Sequence, residues 1–221
     1  MEQSAEPLFV LDSRVPLPAL AGASVRLAVT EVSPWMQEAP QLAAVLSQLS
    51  PQRRAKAAAY TNPRSRALSV GATLALDHLL REVGLRERDM TYVTGPHGKP
   101  AFSALPRHLF NLSHSGALAA AAMLTGCPQD VAIGLDIQRV TRYRPELVRR
   151  QFTDADRARL AAVAGEEQRQ SLFTQLWSRA EAYAKATGKG IESPFPEPSP
   201  NATFFDFTIG TAYCGSLCVL T

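Results

Sequence analysis

The segment 173–191, FTQLWSRAEAYAKATGKGI, constrains this chain most, because its apolar residues repeat with the period of an α-helix. At about 100° per residue, one arc of that helix collects the apolar side chains of Phe173, Leu176, Trp177, Ala180 and Ala184. Glu181 and Lys185 lie one turn apart at the edge of the arc. Charges in that position are held partly out of water and can bind a ligand. The alternative is an i,i+4 ion pair on a solvated helix face.

Two further motifs place polar residues in or next to predicted strands. FNLSHSG at 110–116 precedes an apolar run at 117–124, so its polar residues lie immediately before a predicted buried strand. AIGLDIQ at 132–138 predicts a short strand with Asp136 and Gln138 on one face, because strand side chains alternate. A strand carboxylate that faces a glutamate on a helix edge makes an oxygen-ligand site, which suits Mg²⁺ holding substrate phosphates.

In chain order, the motifs GKP, NLSHSG, GLDI and WxxxEAYxKxxGKG resemble the surfactin-type 4′-phosphopantetheinyl transferases. That family moves phosphopantetheine from coenzyme A to a serine of a carrier protein, which is holo-[acyl-carrier-protein] synthase activity. The resemblance implies an α+β fold: a pseudo-twofold pair of α/β lobes, each a small antiparallel sheet packed on a long helix, with the active site in the cleft between the lobes. The turn GCPQD marks the predicted boundary, which gives lobes at 1–125 and 126–221.

The resemblance also implies roles for the residues of the second lobe. Asp136 and Glu181 would hold Mg²⁺ against the pyrophosphate of coenzyme A, with Gln138 as a weaker or water-mediated ligand. Glu181 or a metal-bound water would take the proton from the carrier serine. Lys185 would stabilise or protonate the departing adenosine 3′,5′-bisphosphate.

Four residues of the first lobe are expected to bind the coenzyme. By resemblance, Lys99 of the GKP turn contacts coenzyme A and His114 binds one of its phosphates, with Ser113 beside it. Arg66 lies near the first turn of a helix predicted at 63–83, where a phosphate would also meet the helix N-terminus.

This sequence departs from the family pattern at two positions. Members usually carry a second acid two residues after the strand aspartate, where this chain has Gln138, and a lysine before the helix glutamate, where it has Ala180. Arg179 is placed to compensate in part for that lysine. The departures support a second hypothesis, in which a weakened family member acts as a coenzyme A or carrier-protein binding module.

Composition excludes several other classes of protein. The chain has 221 residues, of which 46% are hydrophobic, and a net charge of +3 that comes mainly from clustered arginines. These clusters fit an anionic partner, but no helix-turn-helix, zinc-finger or RNP pattern accompanies them, which argues against nucleic acid. A Ser-His-acid hydrolase is disfavoured because Ser113 and His114 would point to opposite faces of one strand, and because the chain has no nucleophile elbow.

The remaining expectations concern the state of the protein in the cell. No apolar run approaches the ~18 residues of a membrane span, and the N-terminus has no basic region before a hydrophobic segment, so we expect a cytoplasmic protein without a membrane anchor. Three cysteines at spacings that match no zinc pattern are expected to be reduced thiols. A chain that carries both halves of its site needs no second subunit, so we expect a monomer.

The secondary-structure pattern predicts an irregular start at residues 1–24, followed by alternating strands and helices. Strands are expected at 25–32, 89–94, 117–124, 132–138, 203–209 and 212–220, and helices at 41–49, 51–60, 63–83, 153–164 and 166–187.

Overall fold

The computed structural model describes residues 9–15, 23–32, 39–95, 97–128 and 130–221. The chain divides into two compact units, Met1–Gln129 and Asp130–Thr221. Both combine small antiparallel sheets with helices, which is the mixed α+β architecture that the sequence predicts. None of the helices in the described ranges is long and apolar enough to cross a membrane.

The first unit is built on a four-stranded antiparallel sheet covered by one long helix. In spatial order, its strands are β1 (Phe9–Val15), β2 (Ser24–Glu31), β6 (Leu118–Thr125) and β5 (His108–Ser115). Helix α3 (Pro63–Arg81) packs on β2, β5 and β6. Asn62 caps this helix by accepting a hydrogen bond from the Ser65 amide at 3.1 Å, and Pro63 occupies the first turn, where proline is favoured.

The described part of the first unit also contains four smaller elements. These are the helices α1 (Ala39–Leu46) and α2 (Pro51–Ala58) and the hairpin strands β3 (Tyr92–Thr94) and β4 (Pro100–Phe102). A single 3₁₀ turn at Glu87–Asp89 leads into the hairpin. The turn of the hairpin carries Lys99.

The second unit has a three-stranded antiparallel sheet with β9 in its centre. The strands lie in the order β7 (Ala132–Arg139), β9 (Tyr213–Leu220) and β8 (Ala202–Ile209). Helix α6 (Glu166–Thr187) packs on β7 and β9. It follows two shorter helices in the chain, α4 (Pro145–Gln151) and α5 (Asp154–Ala161). Gly188 ends α6 with φ of 70°, in the left-handed region that favours glycine at this position.

Most predicted elements are confirmed, and two predictions are wrong. Residues 9–15 lie within the predicted irregular start but form β1, which pairs antiparallel with β2; residues 1–8 and 16–22 lie outside the described ranges. The strand predicted at 89–94 begins only at Tyr92. The 3₁₀ turn replaces its first part because Glu87 is drawn into a buried hydrogen-bond network.

Glu87 is a fully buried carboxylate at the base of the β3–β4 hairpin. It accepts hydrogen bonds from the Ser50 amide at 2.8 Å, the Ser50 hydroxyl at 2.7 Å and the Tyr92 hydroxyl at 2.7 Å. The guanidinium of Arg53 lies 4.0 Å from Glu87 and 4.3 Å above the Tyr92 ring. Burial and the charge of Glu87 raise the pKa of Tyr92, which keeps its hydroxyl protonated as a donor. The network therefore ties the hairpin to the start of α2.

We expect Glu87→Gln to lower the free energy of unfolding by about 3 kcal/mol, because it leaves the buried Arg53 without its counter-charge. Urea denaturation measures this loss. Asp89→Asn is the matched control, since that carboxylate is on the same turn with 64% of its side chain exposed, and it should change stability by less than about 0.5 kcal/mol. Equal effects of the two substitutions would contradict the structural role of Glu87.

Candidate active site

The polar site of the second unit lies where α6 crosses β7, and Gly134 allows the two elements to meet. A Cβ atom at Gly134 would lie 2.0 Å from the carbonyl oxygen of Ala182 and 2.4 Å from the amide nitrogen of Ala186. The backbone of α6 therefore rests directly on β7. This contact brings the helix residues Glu181 and Lys185 to the strand residue Asp136.

Asp136 is 2% exposed, and both of its carboxylate oxygens accept hydrogen bonds. Lys185 Nζ lies 2.7 Å from Oδ1 of Asp136 and also donates to the carbonyl oxygen of Leu135 at 3.0 Å. Gln138 donates from Nε2 to Oδ2 of Asp136 at 3.0 Å, so the two side chains share a strand face as predicted. The hydroxyl of Ser178 fixes the strand by donating to the backbone oxygen of Asp136 at 3.0 Å.

Glu181 lies at the edge of an aromatic cluster formed by Phe152, Trp177 and Phe195. The indole Nε1 of Trp177 donates to Oε1 of Glu181 at 3.1 Å, and the Trp177 ring packs against Phe195 with centroids 5.3 Å apart. Burial raises the pKa of the Glu181 carboxyl, and the charge of Asp136 raises it further, while Lys185 and the indole act in the opposite direction. The charges of Glu181 and Asp136 therefore repel each other.

These residues fit a hard divalent cation. Two carboxylates that repel each other in a partly buried site are stabilised by a cation, and Mg²⁺ is typically bound through one or two carboxylates together with substrate phosphates. Gln138 adds an amide oxygen to the available donors. Within the described ranges, no group of three or more histidine, cysteine, aspartate or glutamate side chains is placed to hold a metal. A metal here would thus rest on two acids, the amide and groups of the substrate.

The four predicted coenzyme-binding residues lie on three separate elements of the first unit. Arg66 is in the first turn of α3 and donates to the carbonyl oxygen of Tyr60 at 2.8 Å. Lys99 is half-buried in the β3–β4 turn. Ser113 and His114 are neighbours on β5, where Ser113 is 5% exposed and His114 is exposed, as expected for opposite faces of a strand.

Arg179 does not replace the lysine that the family usually carries before the helix glutamate. Its guanidinium lies 2.9 Å from Oδ2 of Asp206 and 4.3 Å from the centroid of the Phe204 ring, so it is held on β8. Successive side chains on a helix point about 100° apart. Arg179 therefore points away from the side of α6 on which Ala180 lies, and it contacts β8. Ala180 packs against the aromatic cluster, where a small apolar side chain fits.

Two contributors to the site were missed from the sequence. Trp177 was assigned only to the apolar arc, yet its indole holds Glu181. Its i,i+4 spacing to Glu181 was the available signal, because side chains four residues apart are neighbours on a helix. Ser178 had no comparable signal, since its partner is a backbone atom of β7.

Comparison with known proteins identifies the family. Residues 132–214 match the model of the 4′-phosphopantetheinyl transferase superfamily. The 4′-phosphopantetheinyl transferase HetI of Nostoc is 30% identical over 162 residues, which are 72% of this chain and 67% of HetI. The chain belongs to this superfamily. The predicted resemblance is therefore confirmed.

Two further relatives match a similar share of the chain. The 4′-phosphopantetheinyl transferase Sfp of Bacillus subtilis is 30% identical over 67% of this chain and 64% of Sfp. A putative 4′-phosphopantetheinyl transferase of Synechocystis is 32% identical over 69% of this chain and 62% of the relative. The chain thus spans less than two thirds of the length of these two relatives.

We expect Gly134→Ala to destabilise the second unit by about 3 kcal/mol, since the new methyl group forces the α6 backbone away from β7. Thermal unfolding followed by circular dichroism measures the loss. Gly165→Ser, at the N-cap of the same helix, is the control, because the added Cβ meets only the flexible end of Gln168 and serine is a favoured N-cap residue. A large effect of Gly165→Ser, or none of Gly134→Ala, would contradict this explanation.

Proposed function

We propose that this protein transfers the 4′-phosphopantetheine group from coenzyme A to a serine of an acyl or peptidyl carrier protein, in a reaction that depends on Mg²⁺. One observation carries the proposal: the α6–β7 contact gathers Asp136, Glu181 and Lys185 at one place. Family membership supports the reaction class. We also propose that a single chain in the cytoplasm performs this reaction, with no nucleic acid or membrane as partner.

Asp136, Glu181 and the amide oxygen of Gln138 would hold the metal ion. When bound, Mg²⁺ supplies positive charge that neutralises the pyrophosphate and the charge developing on the leaving phosphate. The carboxylates are held for this task by Ser178, Trp177 and the close approach of the two elements.

Glu181 is the proposed general base. In the metal-free site, burial and the charge of Asp136 raise the pKa of its carboxyl. It would take the proton from the carrier serine as the serine oxygen attacks the β-phosphorus of the coenzyme. The bond from that phosphorus to the bridging oxygen breaks, and adenosine 3′,5′-bisphosphate leaves. Lys185 would stabilise or protonate the leaving phosphate.

The first unit would supply the coenzyme contacts. Lys99 and His114 are the proposed partners of coenzyme phosphates, with Ser113 and Arg66 as further contacts. A flexible lysine ammonium and a histidine can each neutralise or hydrogen-bond to phosphate oxygens without a fixed bidentate geometry.

A second candidate function follows from Gln138 and Ala180. Gln138 directs an amide donor to Asp136 where an acid is usual in the family, and Ala180 supplies no cation. Both changes favour a binding module for coenzyme A or a carrier domain with little turnover. Restoring Gln138→Glu and Ala180→Lys together discriminates the two functions, because a gain of activity by an inactive protein favours the binding module, whereas an active wild type excludes it.

We expect an apo carrier protein to gain the mass of one phosphopantetheine group when incubated with the protein, coenzyme A and Mg²⁺. Intact-protein mass spectrometry over a panel of fatty-acid, polyketide and nonribosomal-peptide carriers measures this. The carrier with its serine replaced by alanine is the control. If no carrier serine in the panel is modified, the transferase proposal fails.

Glu181→Gln should remain about 10²–10⁴-fold slow at saturating Mg²⁺, since an added ion does not replace a general base. Asp136→Asn should recover further, because it loses only a metal ligand. Initial rates over a Mg²⁺ titration compare the two variants, which have the same change in charge. Equal rescue would reject the base assignment and leave Glu181 as a ligand alone.

A further inference from the structure

Asp136 is a buried carboxylate whose charge is balanced by its own chain. Its side chain is 3% exposed, and its two oxygens are hydrogen-bonded to Lys185 at 2.7 Å and to Gln138 at 3.0 Å. A buried carboxylate needs such partners, since water does not solvate it. Of these two groups, only Lys185 carries a compensating charge.

Lys185 is well suited to leave this contact. Its side chain is 30% exposed, whereas the side chain of Asp136 is 3% exposed and is fixed on a strand. The lysine stem is flexible, and its ammonium is a point charge without the fixed fork of an arginine. The same ammonium also donates to the Leu135 carbonyl, which holds it beside Asp136 rather than along α6.

We infer that Lys185 is an internal counter-ion that competes with a divalent cation for Asp136, an inference that rests on the proposed function. A cation bound to Asp136 repels an ammonium on the same carboxylate, so cation binding and the Lys185–Asp136 contact oppose each other. Binding of the cation therefore releases Lys185 toward an anionic group of the substrate. By reciprocal linkage, whatever holds Lys185 away from Asp136 strengthens cation binding.

Gln138 makes this competition stronger. With a neutral amide at this position, β7 presents one carboxylate for two cations, the ammonium and the divalent ion. The amide nitrogen donates to Oδ2 of Asp136, whereas Lys185 donates to Oδ1. The Lys185 contact thus sets the affinity of the site for a cation before any coenzyme is bound.

The test is direct Mn²⁺ binding, measured as free Mn²⁺ by electron paramagnetic resonance at constant ionic strength without coenzyme or carrier. An opposite charge beside a carboxylate changes its proton affinity by at least about tenfold, and we expect an effect of that size on Mn²⁺. Lys185→Gln and Lys185→Met should each bind Mn²⁺ about tenfold more tightly than the wild type. Lys185→Arg keeps the charge and should bind no more tightly.

Lys189→Gln is the matched control, because it removes one positive charge from an exposed residue just after α6. It should change Mn²⁺ affinity less than twofold, since exposed charges are screened by salt and solvent. The glutamine of Lys185→Gln retains a hydrogen-bond donor for the Leu135 carbonyl oxygen. Circular dichroism verifies the fold of each variant.

Unchanged or weaker Mn²⁺ binding by Lys185→Gln and Lys185→Met overturns the inference, as does an equal gain in Lys189→Gln. The failure of the proposed function has a different signature. If the wild type and Asp136→Asn bind Mn²⁺ equally poorly, the metal site itself is wrong and the inference falls with it. If Asp136→Asn loses binding while Lys185→Gln matches the wild type, only the inference is wrong.

Discussion

The backbone contact between α6 and β7 is the constraint on which the second unit depends. Gly134 has no side chain, so the carbonyl oxygen of Ala182 can lie 2.0 Å from the position that a Cβ atom would take. The contact is reinforced by Ser178, which donates to the backbone of Asp136. On the neighbouring strand, a Cβ atom at Gly215 would lie 2.9 Å from the carbonyl oxygen of Asp136. The acidic residue is thus fixed by backbone packing on two sides.

This packing creates the electrostatic character of the site. A helix that lies directly on a strand excludes water from the residues between them, and each charge there must be balanced locally. Asp136 is balanced by Lys185, and Glu181 is held by the indole of Trp177. Charges that lie close together and partly out of water interact strongly with any further charge. A cation and a phosphorylated coenzyme would each bring such a charge.

The first unit uses a buried carboxylate for a different purpose. Glu87 receives three hydrogen bonds and faces Arg53, so its charge is satisfied within the unit. A buried carboxylate that accepts several hydrogen bonds specifies one arrangement of the elements it joins. Here it fixes the hairpin whose turn carries Lys99, whereas the partly exposed Lys185 of the second unit remains able to exchange partners.

Elements with local signals can be predicted from the amino-acid sequence alone. Apolar periodicity predicts α6 at 166–187, and strand alternation places Asp136 and Gln138 on one face. Only the tertiary structure decided the contacts between elements. Strand β1 was missed because its pairing with β2 is a long-range choice, and the partners of Lys185 and Arg179 lie on different strands. Periodicity fixes the direction of a side chain on its own element, but packing decides which element it meets.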